Sequence, residues 1–269
     1  MSKSAPILLA VDFGPRTDEA IQQASLLAQL NQSDLYLLHA IHVLPQSFGV
    51  EAQTDAQSQD LIAQTETQVR DLLREAKKKY IPLAVTARSQ VRVGSWFESL
   101  RNVAEEIRPC LIMLPDLEGE LGQSFLDFAQ QMDEPFMVYT SETDLRNSDV
   151  KGVGQTLVGT LPDWKADETC QNLVGNLSLM SQQTELVTWI NESRKPNQQL
   201  SEQLEAQLNQ LPDLRHDQMA RQIITEGLTD SSLRGLLKER KADLFLLLGC
   251  GKDQRQMEQE MAALRSKFL

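Results

Sequence analysis

The chain of 269 residues is long enough for two domains at roughly 100–200 residues each. Its 38 acidic residues outnumber 26 basic ones for a net charge of −12, which argues against sequence-independent DNA binding and against docking on anionic lipid, both of which need cations. Hydrophobic residues at 41% and charged residues at 24% describe a chain that builds a core rather than a disordered one.

Ile7–Val11 is a continuous apolar run stopped by Asp12, Gly14 and Pro15, and it predicts a buried strand. The run is too short for a signal segment, and no apolar stretch approaches the roughly 20 residues of a membrane span, so a soluble, cytoplasmic protein is expected. From Thr17 to Gln32, Ala20, Ala24, Leu27, Ala28 and Leu30 recur at helical spacing, with Asp18 and Glu19 in the first turn where the helix dipole favours anions. Leu35–Val43 predicts a second buried strand, Leu61–Tyr80 a helix and Leu83–Val93 a more polar third strand ending at Gly94. Trp96–Ile107 follows as a helix, Cys110–Leu114 as a fourth strand, Ser124–Met132 as a short helix and Pro135–Tyr139 as a fifth strand.

The order then repeats. Thr156–Leu161, Thr184–Ile190, Gln222–Thr225 and Leu244–Leu248 predict strands; Lys165–Met180, Leu200–Leu211, Ser231–Lys241 and Gln256–Phe268 predict helices. Adding 149 carries Ile7–Val11 onto Thr156–Thr160 and Leu35–His39 onto Thr184–Thr188, while adding 133 carries Gly94 onto Gly227 and Leu111–Leu114 onto Leu244–Leu247. An internal duplication is the simplest account. Strands alternating with helices imply parallel sheets covered on both faces. The expected architecture is α/β: two tandem parallel-sheet units at 1–143 and 155–269, joined by a linker at 144–154 within the Ser-, Thr-, Asn-, Asp- and Gly-rich stretch Ser141–Gly154. No counterpart of the fifth strand follows in the second copy, so its sheet is expected to be one strand short.

Ile7–Phe13, Asp18–Ile21, Leu35–Ala40, the Gly94–Leu114 block and Ala242–Gly249, taken in order, resemble the universal stress protein family in its tandem-domain form. The resemblance implies a five-stranded, adenine-nucleotide-alpha-hydrolase-like fold, with the family's usual dimer replaced by a pseudo-dimer inside one chain; a homodimer stays open. It also implies an ATP site in some members, built from an acidic residue ending the first strand, the backbone after the second and a glycine loop after the fourth. Asp12 and Ala40 match the first two parts. The loop departs from the pattern: Pro115 and Glu118 stand at its first two glycines and Phe128-Ala129 at its closing Gly-Ser.

Gly119 and Gly122 offer a shifted GxxG with Ser124 opening the next helix, but Asp116, Glu118 and Glu120 set like charge beside a triphosphate. Each such pair costs roughly 1 kcal/mol at about 4 Å in water and several times that in a partly closed cleft. In the second copy Leu161 replaces the acid, and only Gly249 and Gly251 suggest a cleft. ATP is therefore disfavoured, and no cofactor is expected.

Three scattered cysteines, Cys110, Cys170 and Cys250, fit a reducing compartment and suggest no disulfide or metal pattern. His39 and His42, three apart on a strand, point to opposite faces and cannot share a metal. No catalytic set is identifiable. The expectation is a non-enzymatic stress-response protein acting through a small-molecule cleft or protein partners. The alternatives are a nucleotide-binding regulator with one live site in the first domain, and a purely structural interaction module.

Overall fold

The computed structural model describes residues 4–42, 56–114, 125–129, 131–132, 134–139, 153–160, 168–189, 219–224 and 230–248. Residues 144–152 of the expected linker and the helices expected at Leu200–Leu211 and Gln256–Phe268 lie outside them, and the linker's last two residues, Val153 and Gly154, already open a strand. The chain divides into two compact units, Met1–Pro115 and Asp116–Leu269.

In the first unit, β1 (Ser4–Ala10), α1 (Thr17–Leu30), β2 (Ser33–Ile41), α2 (Ala56–Tyr80), β3 (Ala87–Val93), α3 (Trp96–Ile107) and β4 (Leu111–Leu114) follow in order. The strands lie as β3-β2-β1-β4, all parallel. Ile7, Leu8, Leu9, Leu111, Ile112, Met113 and Leu114 are fully buried, because helices cover both faces of the sheet. Ala20, Ile21, Ala24, Leu27 and Ala28 form the buried stripe of α1. The β3 edge reads Ala-Arg-Ser-Gln-Val-Arg-Val and has no buried residue, the charged, polar character that keeps an edge strand from pairing further. Tyr80 at the end of α2 donates to Asp18 in the first turn of α1, joining the two helices.

The second unit carries α4 (Phe125–Ala129), β5 (Phe136–Tyr139), β6 (Val153–Thr160), α5 (Glu168–Met180), β7 (Ser181–Trp189), β8 (Met219–Ile224), α6 (Asp230–Arg240) and β9 (Leu244–Leu248). Its strands lie as β5-β9-β6-β7-β8. The last four run parallel, and β5 runs antiparallel to β9, with Phe136 opposite Leu247 and Tyr139 opposite Leu244. Three of these strands, β7, β8 and β9, follow the expected linker and β6 begins on its last two residues; the fifth place is taken by β5, whose residues precede it. The pairing of β5 with β9 accordingly lies within the second unit.

The two units share their pairing registers. Ile7 stands opposite Leu35 and Leu111; Thr156 stands opposite Thr184 and Leu244. From Ile7 onward, shifts of 149 and 133 carry the rungs onto their counterparts; the Ser4–Ser33 pair, ahead of an irregularity in β1, does not follow the shift, since Val153 pairs with Ser181. Cys110 donates its amide to Pro6 at 2.9 Å, and Asp243 donates its amide to Gln155 at 2.8 Å, under the same two shifts. The residues after α3 and α6, Arg108 and Lys241, both take the left-handed conformation, at φ 47° and 51°. Left-handed helix ends usually fall to glycine, so two cationic exceptions at matching positions are informative. The expected second-copy strand at Gln222–Thr225 forms earlier, at Met219–Ile224, and its shift from β3 is 132.

Candidate functional site

In an open parallel sheet, ligands bind beyond the carboxyl ends of the strands. In the first unit that edge carries Asp12 after β1, Ala40 and Ile41 closing β2, and Gly94 after β3. Asp12 is exposed, and its Oδ1 accepts two hydrogen bonds: one from the Gly14 amide at 2.8 Å and one from the Thr17 hydroxyl at 2.7 Å. The intervening Phe13 adopts φ 57°, a left-handed conformation that costs a bulky residue about 1 kcal/mol or more. A Cβ at position 14 would lie 2.9 Å from Asp12 Oδ2, so glycine there lets the carboxylate fold directly over the backbone. The residue at the N-cap of α1, Arg16, makes no side-chain cap; Asp12 anchors the helix entrance instead, through Thr17.

Ala40 is buried and opposite Arg92 of β3. Alternate strand residues turn their backbone groups to opposite neighbours. Leu38 accepts from Val11 on the β1 side, whereas Ile41 accepts from Gly94 on the β3 side. Ala40, in phase with Leu38, therefore presents its N–H and C=O toward the gap that opens where β1 ends. Gly94 links β3 to α3 at φ 134°, a conformation only glycine adopts comfortably.

His39 closes this gap from the side. Its Nδ1 lies 2.6 Å from the Val11 carbonyl, which fixes Nδ1 as the protonated nitrogen, because a carbonyl only accepts. The ring sits 5.0 Å from Phe13 and 5.6 Å from Trp96, edge-on to the latter. Burial holds the His39 pKa below its ordinary value, against the opposing pull of the Val11 bond and the Asp12 charge. His39 is half-buried and His42 exposed. Phe13, Thr17 and Trp96 were not legible as site residues, because nothing in their local sequence ties them to Asp12.

The remaining expected site residues, Gly119, Gly122 and Ser124 of the first copy and Gly249 and Gly251 of the second, lie outside the described residues, as does Leu161. Phe128, at a position of the family's closing Gly-Ser, is instead a buried ring packed edge-on against Phe136 at 5.7 Å. Among the described residues, no group of three His, Cys, Asp or Glu side chains is placed to hold a metal ion, and no helix is long and apolar enough to cross a membrane.

The chain is similar to several solved structures. A universal stress protein from Archaeoglobus fulgidus DSM 4304 is 10% identical, with 93% of this chain and 98% of that one covered at a TM-score of 0.55. A universal stress family protein from Burkholderia pseudomallei is 19% identical over 50% of this chain and 95% of its own, at 0.40. A functionally unknown protein from Pseudomonas aeruginosa PAO1 is 14% identical over 97% and 98%, at 0.46. No curated protein matches the chain. The universal stress protein family model matches residues 4–123, the stretch that holds β1 to β4 and the Asp12 edge, and the chain thus carries a universal stress protein family domain there.

Proposed function

We propose that the chain is a duplicated stress-response protein that performs no catalysis and acts through a small-molecule cleft in its first domain or through protein partners. The observation that carries this reading is the Asp12 edge. One carboxylate oxygen is held by Gly14 and Thr17, and the Ala40 backbone turns toward the same gap, an arrangement suited to recognising a ligand rather than transforming one. The departures of the glycine loop, Pro115 and Glu118 above all, support a member without ATP turnover. Duplication is supported by the equal registers of the two sheets and by the matched left-handed ends at Arg108 and Lys241. A cytoplasmic location belongs to the same reading and rests on the scattered, unbridged cysteines Cys110 and Cys170.

The test is native mass spectrometry of the protein as purified, repeated after denaturation. A bound mass that disappears on denaturation supports an occupied cleft. Reproducible ATP hydrolysis abolished by Asp12→Ala would overturn the non-catalytic reading.

The second reading is a nucleotide-binding regulator with one live site. It is favoured by Asp12 and Ala40 occupying the positions that nucleotide-binding members use. It predicts saturable ATP binding by calorimetry that Gly122→Glu removes; a full-length protein that takes up no ATP excludes it.

A further inference from the structure

At four linked positions the second copy holds Gln155, Glu185, Arg240 and Asp243. Glu185 on β7 is 3% exposed, yet it carries a carboxylate. Its Oε2 accepts from Gln155 Nε2 at 3.3 Å, and its Oε1 lies 3.7 Å from Arg240 Nε at the end of α6. Asp243, also buried, accepts from the Gln155 amide through Oδ2 at 2.9 Å and returns its own amide to the Gln155 carbonyl at 2.8 Å. Four residues from β6, β7, α6 and the entrance to β9 thus form one connected network at the amino end of the sheet.

The shifts of 149 and 133 carry all four onto the first copy, and none keeps its chemistry. Gln155 corresponds to Pro6, Glu185 to Tyr36, Arg240 to Ile107 and Asp243 to Cys110. There, Tyr36 accepts from Arg88 at 3.1 Å, and the Cys110 thiol donates to the Ala5 carbonyl at 3.1 Å. A chain with two sheets of equal register faces a specific hazard: any strand can pair with the counterpart of its true neighbour, because the backbone rungs match.

We propose that the Gln155–Glu185–Arg240–Asp243 network is an identity tag that keeps the strands of the second sheet from pairing with those of the first, and the proposal rests on the duplication argued above. Consider β9 laid against β1 at the equivalent register. The Asp243 carboxylate then meets Pro6, which has no N–H to give. With β7 against β1, Glu185 has Pro6 where Gln155 should be and Ile107 where Arg240 should be. Either error takes from a buried carboxylate the donor or cation named above, which is far costlier than losing an apolar contact. The correct pairing gains little net stability from the network; the wrong pairings lose much. Specificity against alternatives, rather than strength, is what such a network supplies.

The experiment uses the full-length chain carrying Leu9→Cys and Leu246→Cys. These positions neighbour one another only if β9 pairs with β1, since Leu9 natively faces Met113 and Leu246 faces Val158. The chain is refolded at low concentration in a glutathione redox buffer, and the link between positions 9 and 246 is quantified by peptide mass spectrometry. Adding Glu185→Leu and Asp243→Ala is expected to raise its share about ten-fold, the ratio that loss of roughly 1.4 kcal/mol of discrimination gives. An unchanged share overturns the proposal. Should that variant not refold, Pro6→Gln with Cys110→Asp, which gives the first sheet part of the tag, is expected to raise the link in the same way, and an unchanged share there overturns it. The equal registers stand whichever way the link falls, so a negative result removes the tag and not the duplication.

Discussion

His39 Nδ1 lies 2.6 Å from the carbonyl of Val11, twenty-eight residues earlier, and takes the place where one more rung of the β1–β2 ladder would form. Because burial depresses the His39 pKa, the folded protein binds fewer protons than the unfolded chain once the pH falls below the ordinary value of 6.5. The His39 contribution to stability is therefore fully present above that value and is lost as pH drops toward the folded pKa. Urea midpoints at pH 7.5 and 5.5 are expected to fall less in His39→Phe than in the parent chain. Equal falls would show that His39 does not set the slope.

Asp12 is expected to act on the fold as well as on any ligand. Asp12→Ala removes the acceptor shared by Gly14 and Thr17 and should cost about 1 kcal/mol, in the range of a lost helix cap. Thr17→Val should cost a similar amount, and the double variant clearly less than their sum, since the two changes delete one interaction. Denaturant titration of the three variants reads this directly, and full additivity would contradict the shared bond.

Cys110 should be chemically quiet. Burial pushes its thiol up to about 11, although bonds from the Ser33 side chain and its own backbone pull the other way. At pH 8 it stays protonated, so iodoacetamide should label it only after unfolding. Peptide mapping after brief alkylation of the native protein tests this; prompt labelling at Cys110 would refute the burial argument.

Phe136 is fully buried on β5, 5.7 Å edge-on from Phe125 and from Phe128. Phe136→Ala should cost about 3–5 kcal/mol, the range for a large core aromatic. Since β5 pairs with β9, amide exchange should accelerate at Leu244–Leu248 before it does at Ile7–Ala10. Uniform acceleration in both segments would mean the β5–β9 pair is not a local unit.

Strands were the most legible elements. Ile7–Val11, Leu111–Leu114 and Leu244–Leu248 are unbroken apolar runs, and all are buried on both faces. Polarity hid the ends of others. Helix α2 begins at Ala56, ahead of the expected Leu61, because its first turn holds no apolar residue to mark it beyond Ala56 itself. Strand β3 begins at Ala87, past the expected Leu83, whose side chain is fully exposed. At the site, Asp12 and Ala40 were identifiable from their position at strand ends. The ring cluster of Phe13, His39 and Trp96 was not, because only the parallel crossovers bring residues so far apart in sequence together. The partner of β5 was equally hidden: Phe136–Tyr139 reads as a buried strand, but no local pattern states which edge it will join or in which direction.

That direction has a consequence for synthesis. An antiparallel strand whose mate lies about 110 residues downstream is made long before it can be used. At about 5–20 residues per second, the Phe-Met-Val-Tyr edge that belongs to β9 waits roughly 5–20 seconds for Leu244–Leu247 to emerge. During that interval it is an apolar strand with an open side, the kind of edge that nascent chains on neighbouring ribosomes can share. The second unit is therefore the late-maturing half of the molecule, and slowing translation between the two strands should lower the yield of soluble protein more than slowing it anywhere upstream of Phe136.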